Sequence, residues 1–313
     1  MQFFDARNIA ENLPYEELVD ALDEAFRGDA TVPLRTHHTI PGADDGDATL
    51  LLMPAWRSGG GLGVKVASVF PQNAARGEPA VNASYLLLDG ETGKPVALMD
   101  GGELTLRRTA CASALASRYL SAESARTLLM VGTGSLAPHL VAAHVSVRPF
   151  TRVLIWGRNN DKATALRDRL GAVAGSVETA GDLETAVREA DVISCATLAT
   201  EPLIAGAWLR PGQHVDLVGA FTPDMREADS GAVGRARIYV DTYAGTLKEA
   251  GDILQPLREG VIQESDIVGE LADLARGLDP GRRGDDEITL FKSVGTALED
   301  LAAAELVIAA NTP

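Results

Sequence analysis

One lysine lies inside an apolar run, where a charged group is costly. Lys65 belongs to Gly63-Val64-Lys65-Val66-Ala67-Ser68-Val69-Phe70, and the chain has five lysines against 23 arginines. A buried ammonium group needs an anion or a lowered pKa, because taking an unpaired charge out of water is unfavourable. A structural ion pair, or a side chain whose charged end reaches water, would also explain it. A second cation, Arg108, opens a helix-like segment downstream and favours a functional site for an anion.

A glycine-rich motif follows a predicted strand and precedes a predicted helix. It reads Val131-Gly132-Thr133-Gly134-Ser135-Leu136-Ala137, which has the form G-x-G-x-x-A. The first glycine permits a tight turn, the second lets the backbone approach a pyrophosphate, and the alanine allows close packing of helix on strand. Backbone N–H groups at the start of a helix bind phosphate well. We therefore predict dinucleotide binding by Gly132, Thr133, Gly134, Ser135 and Leu136.

The residues after the next strand indicate which dinucleotide is bound. A carboxylate at this point would accept from a free 2′-hydroxyl of the adenosine ribose and select NAD, whereas Arg158 and Asn159 stand here, followed by Lys162. A cation and an amide suit a 2′-phosphate, so the sequence predicts NADPH, with NADH also possible. Arg158 could instead be a solvated surface residue. Thr197 and Ser293, which follow later strands, are predicted to border the cofactor, although each could be a helix cap or loop residue.

Hydrophobic periodicity divides the chain into two parts near residue 122. The first part begins with a helix over 14–27, continues with strands separated by glycine-rich turns, and ends with a helix over 103–120, which indicates a mainly antiparallel sheet. Its predicted strands are 49–55, 62–70, 80–88 and 95–99. In the second part strands and helices alternate, which is typical of a doubly wound parallel sheet. Its predicted strands are 127–131, 152–156, 177–178, 191–196, 214–218 and 237–240, and its helices are 135–145, 161–170, 182–190 and 228–235.

The predicted fold class is thus α/β. A Rossmann-type, doubly wound dinucleotide-binding domain covers 123–292. A discontinuous α+β domain covers 1–122 and is completed by a C-terminal segment, 293–313, that is helical over 293–310. A chain of 313 residues is long enough for two domains with a cleft.

Composition limits the partners. The formal net charge of −16 argues against nucleic acid and against anionic membrane surfaces. The N-terminus lacks the basic and apolar regions of a secretion signal, so we expect a cytoplasmic protein. Cys111 and Cys195 lie outside any metal-ligand spacing and are expected to be buried thiols, and no metal site is predicted.

Several motifs in one order resemble the ornithine cyclodeaminase/mu-crystallin family, over nearly the whole chain. They are Met53-Pro54-Ala55, Gly63-Val64-Lys65, Phe70-Pro71-Gln72-Asn73, Asp89-Gly90-Glu91-Thr92-Gly93, Leu104-Thr105-Leu106-Arg107-Arg108-Thr109-Ala110, Gly132-Thr133-Gly134, Val218-Gly219-Ala220 with Pro223 and Arg226-Glu227, and 291–300. The resemblance implies a homodimer built through the N-terminal domain, and a nicotinamide cofactor facing a small carboxylate-bearing substrate.

The resemblance also implies a carboxylate clamp. In this chain it falls on Arg35, Lys65 and Arg108, which can hold a carboxylate by charge-assisted hydrogen bonds. Arg35 could instead be a loop surface residue. His37 and His38 are candidates for a proton donor or for lining the pocket, and are also compatible with exposed loop histidines.

Two departures from the cyclodeaminases bear on the reaction. Those enzymes carry an aspartate straight after the Gly-Gly that follows the strand here ending at Val218. This chain reads Gly219-Ala220-Phe221-Thr222-Pro223 instead, and Asp224 comes one turn later than that aspartate. A clamp threonine falls on Ala80, with Asn82 and Ser84 as polar substitutes. The residues around His37-His38 and 78–84 resemble the bacterial ketimine reductases of the family instead. These reduce the cyclic imines Δ1-pyrroline-2-carboxylate and Δ1-piperideine-2-carboxylate to proline and pipecolate.

On this reading the clamp fixes the imine carbon near nicotinamide C4, and hydride is delivered to a protonated imine. Nitrogen protonation could come from solvent, from the substrate's own iminium equilibrium, or from Lys65. Three alternatives remain open: an alanine-dehydrogenase-type amino-acid dehydrogenase, an ornithine cyclodeaminase, and a non-catalytic NADPH- or ligand-binding protein like the crystallin members.

Overall fold

The computed structural model describes residues 1–42 and 47–311. The chain divides into two compact units, one made of 1–109 with 296–313 and the other of 110–295. The last two residues of the predicted C-terminal segment, 312 and 313, lie outside the described residues.

The first unit is built on a six-stranded sheet. Its strands are β1 (Gln2–Phe4), β2 (Thr36–Ile40), β3 (Ala48–Trp56), β4 (Leu62–Val69), β5 (Val81–Leu88) and β6 (Pro95–Asp100), and its first helices are α1 (Ala6–Asn12), α2 (Tyr15–Arg27) and α3 (Gly101–Leu120), which ends in the second unit. The order across the sheet is β1-β6-β5-β4-β3-β2. Neighbouring strands are antiparallel except β1, which lies parallel to β6. The predicted mainly antiparallel sheet is confirmed.

The residues around the two histidines form a strand that was not among the predicted elements. Residues 36–40 form the edge strand β2, which pairs antiparallel with β3, with His37 opposite Leu51 and His38 opposite Leu50. Every residue of β2 is exposed. A strand exposed on both faces has no apolar alternation, so its sequence resembles that of a loop.

The second unit is a doubly wound parallel sheet, as predicted. Its strands are β7 (Thr127–Val131), β8 (Arg152–Trp156), β9 (Ser176–Thr179), β10 (Val192–Cys195), β11 (His214–Leu217), β12 (Arg237–Val240), β13 (Ile267–Glu270) and β14 (Thr289–Lys292). The order is β13-β12-β14-β11-β10-β7-β8-β9. The chain runs from β7 to β8 and β9 on one side and then returns to β10 on the other, so the topological switch point lies between β7 and β10. Ligands of such sheets bind at the carboxyl ends of the strands beside this point.

Seven helices of the described residues accompany this sheet. They are α4 (Ala137–Val147), α5 (Asn160–Leu170), α6 (Leu183–Glu189), α7 (Ser230–Arg235), α8 (Tyr243–Glu249), α9 (Gly251–Arg258) and α10 (Leu271–Ala275). The helix predicted from residue 135 begins two residues later, with Pro138 in its first turn. Three short helices and two short strands after residue 240 were not predicted, and α9 even contains Pro256. Among the described residues, none of the helices is both long and apolar enough to span a bilayer.

The last helix, α11 (Ala297–Ala310), belongs to the first unit. It packs on α2 and on one face of β3, β4 and β5. The predicted helix began at Ser293, but Gly295 has a positive φ of 86° and Thr296 caps the helix, so the preceding residues form a turn.

The two faces of the six-stranded sheet differ. Alternation in β4 buries Lys65 and Ala67 toward α11, whereas Val64 and Val66 point to the other face. That other face, here called the open face, carries apolar side chains from five strands that remain at least partly exposed: Phe3, Leu50, Leu52, Pro54, Trp56, Leu62, Val64, Val66, Leu86 and Leu98.

Candidate functional site

A cluster of two cations and two acids lies under the covered face of the six-stranded sheet. Lys65, only 2% exposed, projects from β4 between Met53 and Tyr85 on the neighbouring strands. Its Nζ lies 2.8 Å from the carboxylate of Asp300 on α11 and donates to Thr105 Oγ1 on α3 at 3.3 Å. The lysine singled out from sequence is therefore a buried, paired ammonium group.

Arg108 is part of the same cluster and is 4% exposed. Its Nη1 donates to Glu299 Oε2 at 2.5 Å and its Nε to Asp300 Oδ1 at 3.1 Å. Both acids sit in the first turn of α11, where the helix dipole stabilises negative charge. Two cations thus face two carboxylates, and the buried charges balance.

Burial and the neighbouring arginine perturb the pKa of Lys65. Burial lowers the pKa of Lys65 to about 8, the charge of Arg108 adds to the effect, and Asp300 and Glu299 oppose it. A lysine with a pKa near 8 is mostly charged at neutral pH yet can release its proton more easily than a surface lysine. The group can therefore exchange a proton near neutral pH.

The tyrosine beside Lys65 completes this environment. Tyr85 is fully buried, its hydroxyl lacks a hydrogen-bond partner among the described residues, and burial with the Asp300 charge raises its pKa. A Cβ at Gly63 would collide with that hydroxyl, so only glycine fits opposite the ring. An unpartnered buried hydroxyl is a hydrogen-bonding group still open to a ligand or water.

The other predicted substrate residues lie elsewhere on the first unit. Arg35 is half-buried and precedes β2. His38 and Asn82 are exposed, and the pairing His38–Leu50, Leu50–Ser68 and Ser68–Asn82 puts both on the open face. The sheet separates His38 and Asn82 from Lys65, so the structure does not bring these two residues into the cation cluster.

Sequence reasoning missed the acids of the cluster. Asp300 is 235 residues from its lysine partner in sequence. The signal was present all the same, because a buried cation demands a carboxylate and Glu299-Asp300 is an acidic pair in the first turn of a largely apolar final helix.

In the second unit, the glycine motif lies at the carboxyl end of β7. Gly132 has a φ of 120°, and a Cβ there would lie 2.5 Å from the carbonyl oxygen of Ala196. A Cβ at Gly134 would meet nothing within 4 Å, so the backbone faces open space there. Thr133, Ser135 and Leu136 complete the loop before α4. A tight turn and an approachable backbone at the switch point are what a pyrophosphate requires.

The residues predicted to read the adenosine ribose follow β8. Arg158, Asn159 and Lys162 are all exposed. The Asn159 Oδ1 caps α5 by accepting from the Lys162 backbone N–H at 3.0 Å. This bond uses the amide oxygen and leaves the NH₂ group of Asn159 to donate to a ligand.

Two further predicted residues lie at the same edge of the parallel sheet. Thr197 follows β10, and its backbone N–H and hydroxyl both donate to Glu227. Ser293 follows β14 and is buried, and the next two backbone N–H groups donate to Asp241 Oδ2 at 2.7 and 2.6 Å. The residues 1–42 and 47–311 contain no group of His, Cys, Asp and Glu suited to hold a metal ion.

Comparison with known proteins supports the family resemblance. Residues 2–311 match the model of the ornithine cyclodeaminase/mu-crystallin family. A Δ1-pyrroline-2-carboxylate reductase of Colwellia psychrerythraea is 38% identical over 98% of both chains.

The solved structure of the Thermococcus litoralis Δ1-pyrroline-2-carboxylate reductase with NADH and L-proline is 34% identical, with a TM-score of 0.93 over 99% of this chain and 97% of that one. An archaeal alanine dehydrogenase dimer with bound NAD is 27% identical, with a TM-score of 0.91 over 99% and 95% of the two chains. The chain belongs to the ornithine cyclodeaminase/mu-crystallin family, as the sequence motifs predicted.

Proposed function

We propose that the protein is an NAD(P)H-dependent ketimine reductase that converts Δ1-pyrroline-2-carboxylate, Δ1-piperideine-2-carboxylate or both to L-proline and L-pipecolate. The buried pair of Lys65 and Arg108 is the observation that carries the proposal, because it places two cationic hydrogen-bond donors, one of them a lysine of lowered pKa, in one cluster. The relatives named Δ1-pyrroline-2-carboxylate reductase support the choice of substrate.

The residues of the first unit bind and orient the substrate. Arg108 and Lys65 attract the substrate carboxylate, and Arg35 is the third member of the clamp. A charge-assisted hydrogen bond to a carboxylate contributes about 1.5–3 kcal/mol. Holding the carboxylate restricts the imine to one orientation, and orientation supplies much of the rate enhancement in such reactions.

Lys65 is our candidate for the group that protonates the imine nitrogen. Its ammonium is charged at neutral pH, and its pKa of about 8 brings it closer to the pH at which proton transfer is efficient. Solvent and the substrate's own iminium form are the competing proton sources.

The loops of the second unit would hold the cofactor. The open space at Gly134, the tight turn at Gly132 and the start of α4 fit a pyrophosphate. Thr197 and Ser293 border the same edge of the sheet. When bound, the reduced nicotinamide supplies the hydride.

We infer that NADPH is preferred and that NADH is also used. Arg158 and Lys162 are exposed cations beside the Asn159 cap, and the amide NH₂ is a further donor for a 2′-phosphate. The neighbouring structures with NADH and NAD support a nicotinamide cofactor of either kind.

We also propose that the protein is a homodimer formed through the open face. Apolar side chains from five strands lie partly exposed there, and a patch of this extent on a soluble chain marks an interface. A second copy of the same sheet is the partner that we propose for it, because a two-fold dimer pairs a surface with itself. The alanine dehydrogenase neighbour is a dimer. His38 and Asn82 lie on this face, on the opposite side of the sheet from Lys65. Their predicted contact with the substrate stays a prediction.

We place the enzyme in the cytoplasm, where reduced thiols persist. Cys111 and Cys195 are both buried and form no disulfide.

An amino-acid dehydrogenase is the second candidate, favoured by the structural similarity to the archaeal alanine dehydrogenase. It would form its imine from a keto acid and ammonia. A cyclodeaminase is disfavoured, because Phe221 stands in the segment where those enzymes carry an aspartate.

Oxidation of NADPH and NADH, followed by absorbance, tests the proposal. Each is supplied with Δ1-pyrroline-2-carboxylate, and separately with pyruvate plus ammonium. Release of ammonia from ornithine is measured alongside. Rapid oxidation with the cyclic imine alone supports the ketimine reductase; oxidation only with pyruvate and ammonium, or ammonia from ornithine, would replace it.

A further inference from the structure

The carboxylate of Glu227 accepts hydrogen bonds from two loops at the carboxyl edge of the parallel sheet. Glu227 Oε1 accepts from the backbone N–H of Thr197 at 2.7 Å and from its hydroxyl at 2.9 Å. Glu227 Oε2 accepts from the backbone N–H of Gly219 at 2.7 Å. Thr197 follows β10 and Gly219 follows β11, so each oxygen holds a different loop.

Glu227 is itself fixed by a buried ion pair. Asp252 Oδ1 accepts from the backbone N–H groups of Glu227 and Ala228 at 2.7 and 3.1 Å. The other oxygen of Asp252 lies 3.1 Å from Lys292 Nζ. All three charged residues are fully buried. Burial raises the pKa of Glu227, whereas Lys292 and the two hydrogen bonds from Thr197 act in the opposite direction and favour the charged carboxylate.

The two loops are in direct contact with each other and with the glycine loop. A Cβ on Gly219 would collide with the backbone of Thr197, and a Cβ on Gly132 would lie 3.3 Å from Thr197 Cγ2. The loops after β7, β10 and β11 are therefore packed side by side, in the same order as their strands.

The same loops expose two large apolar side chains at the ligand edge. Leu198 is 74% exposed and Phe221 is 45% exposed. Apolar groups left exposed at the ligand edge of such a sheet are suited to contact a ring.

We propose that Glu227 is a positioning residue for the nicotinamide half of the cofactor, acting through the loops of Thr197 and Gly219. The inference rests on the cofactor assignment of the proposed function. In a doubly wound sheet, residues after the second strand bind the adenosine ribose, and the glycine loop after the first strand binds the pyrophosphate. The nicotinamide is then expected at the loops on the other side of the switch point. Here those are the loops after β10 and β11.

Glu227→Gln is the selective perturbation. Gln has the size of Glu, but both carboxylate oxygens accept a backbone N–H. Either orientation of the amide therefore turns its NH₂ group against one of these donors, and one loop is released. A lost bond to a charged acceptor corresponds to about a tenfold change in an equilibrium constant or more.

The experiment compares the Kd of NADPH with that of 2′,5′-ADP, which lacks the nicotinamide half, by calorimetry on the full chain. For Glu227→Gln we expect the Kd of NADPH to rise about tenfold and that of 2′,5′-ADP to change less than about twofold. Val187→Ala, which opens a cavity in the buried core of the same unit, is the control for lost stability and should leave both values unchanged.

Three results separate the possibilities. Equal weakening of both ligands, or no weakening of either, would overturn the positioning role. Weak binding of both ligands by the unaltered protein would instead contradict the cofactor assignment. If Glu227→Gln fails to fold, Thr197→Val removes the hydroxyl bond to Glu227, together with the long bond from the Ala199 N–H, and keeps the backbone N–H bond to Glu227. It must then weaken NADPH to a smaller extent while sparing 2′,5′-ADP.

Discussion

The cation cluster allows the structural and the catalytic roles of Lys65 to be separated. Lys65→Met removes an ammonium that lies 2.8 Å from Asp300 and leaves Arg108 facing two buried carboxylates. Removing one partner of a buried pair costs about 3–5 kcal/mol, so the free energy of unfolding should fall by about that amount. Adding Asp300→Asn removes the surplus negative charge, keeps the Arg108–Glu299 pair and should restore most of the stability.

Activity should not follow stability in this series. Loss of the charge-assisted bond to the substrate carboxylate corresponds to about 1.5–3 kcal/mol, or about 10- to 100-fold in kcat/KM. We therefore expect low kcat/KM in Lys65→Met and in the double variant alike, with NADPH affinity unchanged in both. Urea unfolding and steady-state kinetics measure the two quantities. A double variant that recovers activity together with stability would refute the substrate-binding role and leave Lys65 a structural ion pair.

Three further predictions concern pH, cofactor and assembly. The kcat/KM for the imine should fall as pH rises through about 8, because Lys65 loses its proton there. Lys65→Arg stays charged and should move that fall to higher pH. A wild-type profile that is flat from pH 7 to 9 would contradict this. Arg158→Ala should raise the Kd of NADPH about tenfold and that of NADH less than about twofold, and equal effects would show that Arg158 does not meet the 2′-phosphate. Val66→Glu on the open face should give a monomer in sedimentation equilibrium. Val261→Glu, which changes a similarly exposed valine of the other unit, should leave a dimer. A dimer for both variants would show that the open face is not the interface.

The sequence predicted the core strands of the parallel sheet well. The bounds of β7, β8 and β12 agree with prediction to the residue, because each is a short apolar run between polar or turn residues. The predicted helix after the glycine motif began too early, since Leu136 still lies outside α4. Strand β14 was missed because it ends in the buried Lys292, whose charge is balanced by its pairing with Asp252.

The parts of the site that sequence reasoning did not reach depend on contacts between distant residues. Lys65 was recognised as a buried cation from its apolar neighbours, but its partner Asp300 comes from the final helix. Glu227 was noted only as part of a motif, and its role emerged from the packing of Thr197 against Gly219. The face on which His38 lies depends on the register of β2, which its polar sequence does not reveal.

The formation of L-proline from Δ1-pyrroline-2-carboxylate and NADPH tests the central claim most directly. With purified protein we expect one L-proline for each NADPH oxidised, and a loss of at least about tenfold in rate for Lys65→Met. NADPH binding without oxidation by this imine or by the six-membered imine would contradict the proposed reaction and assign the cation cluster to another substrate or to a non-catalytic role.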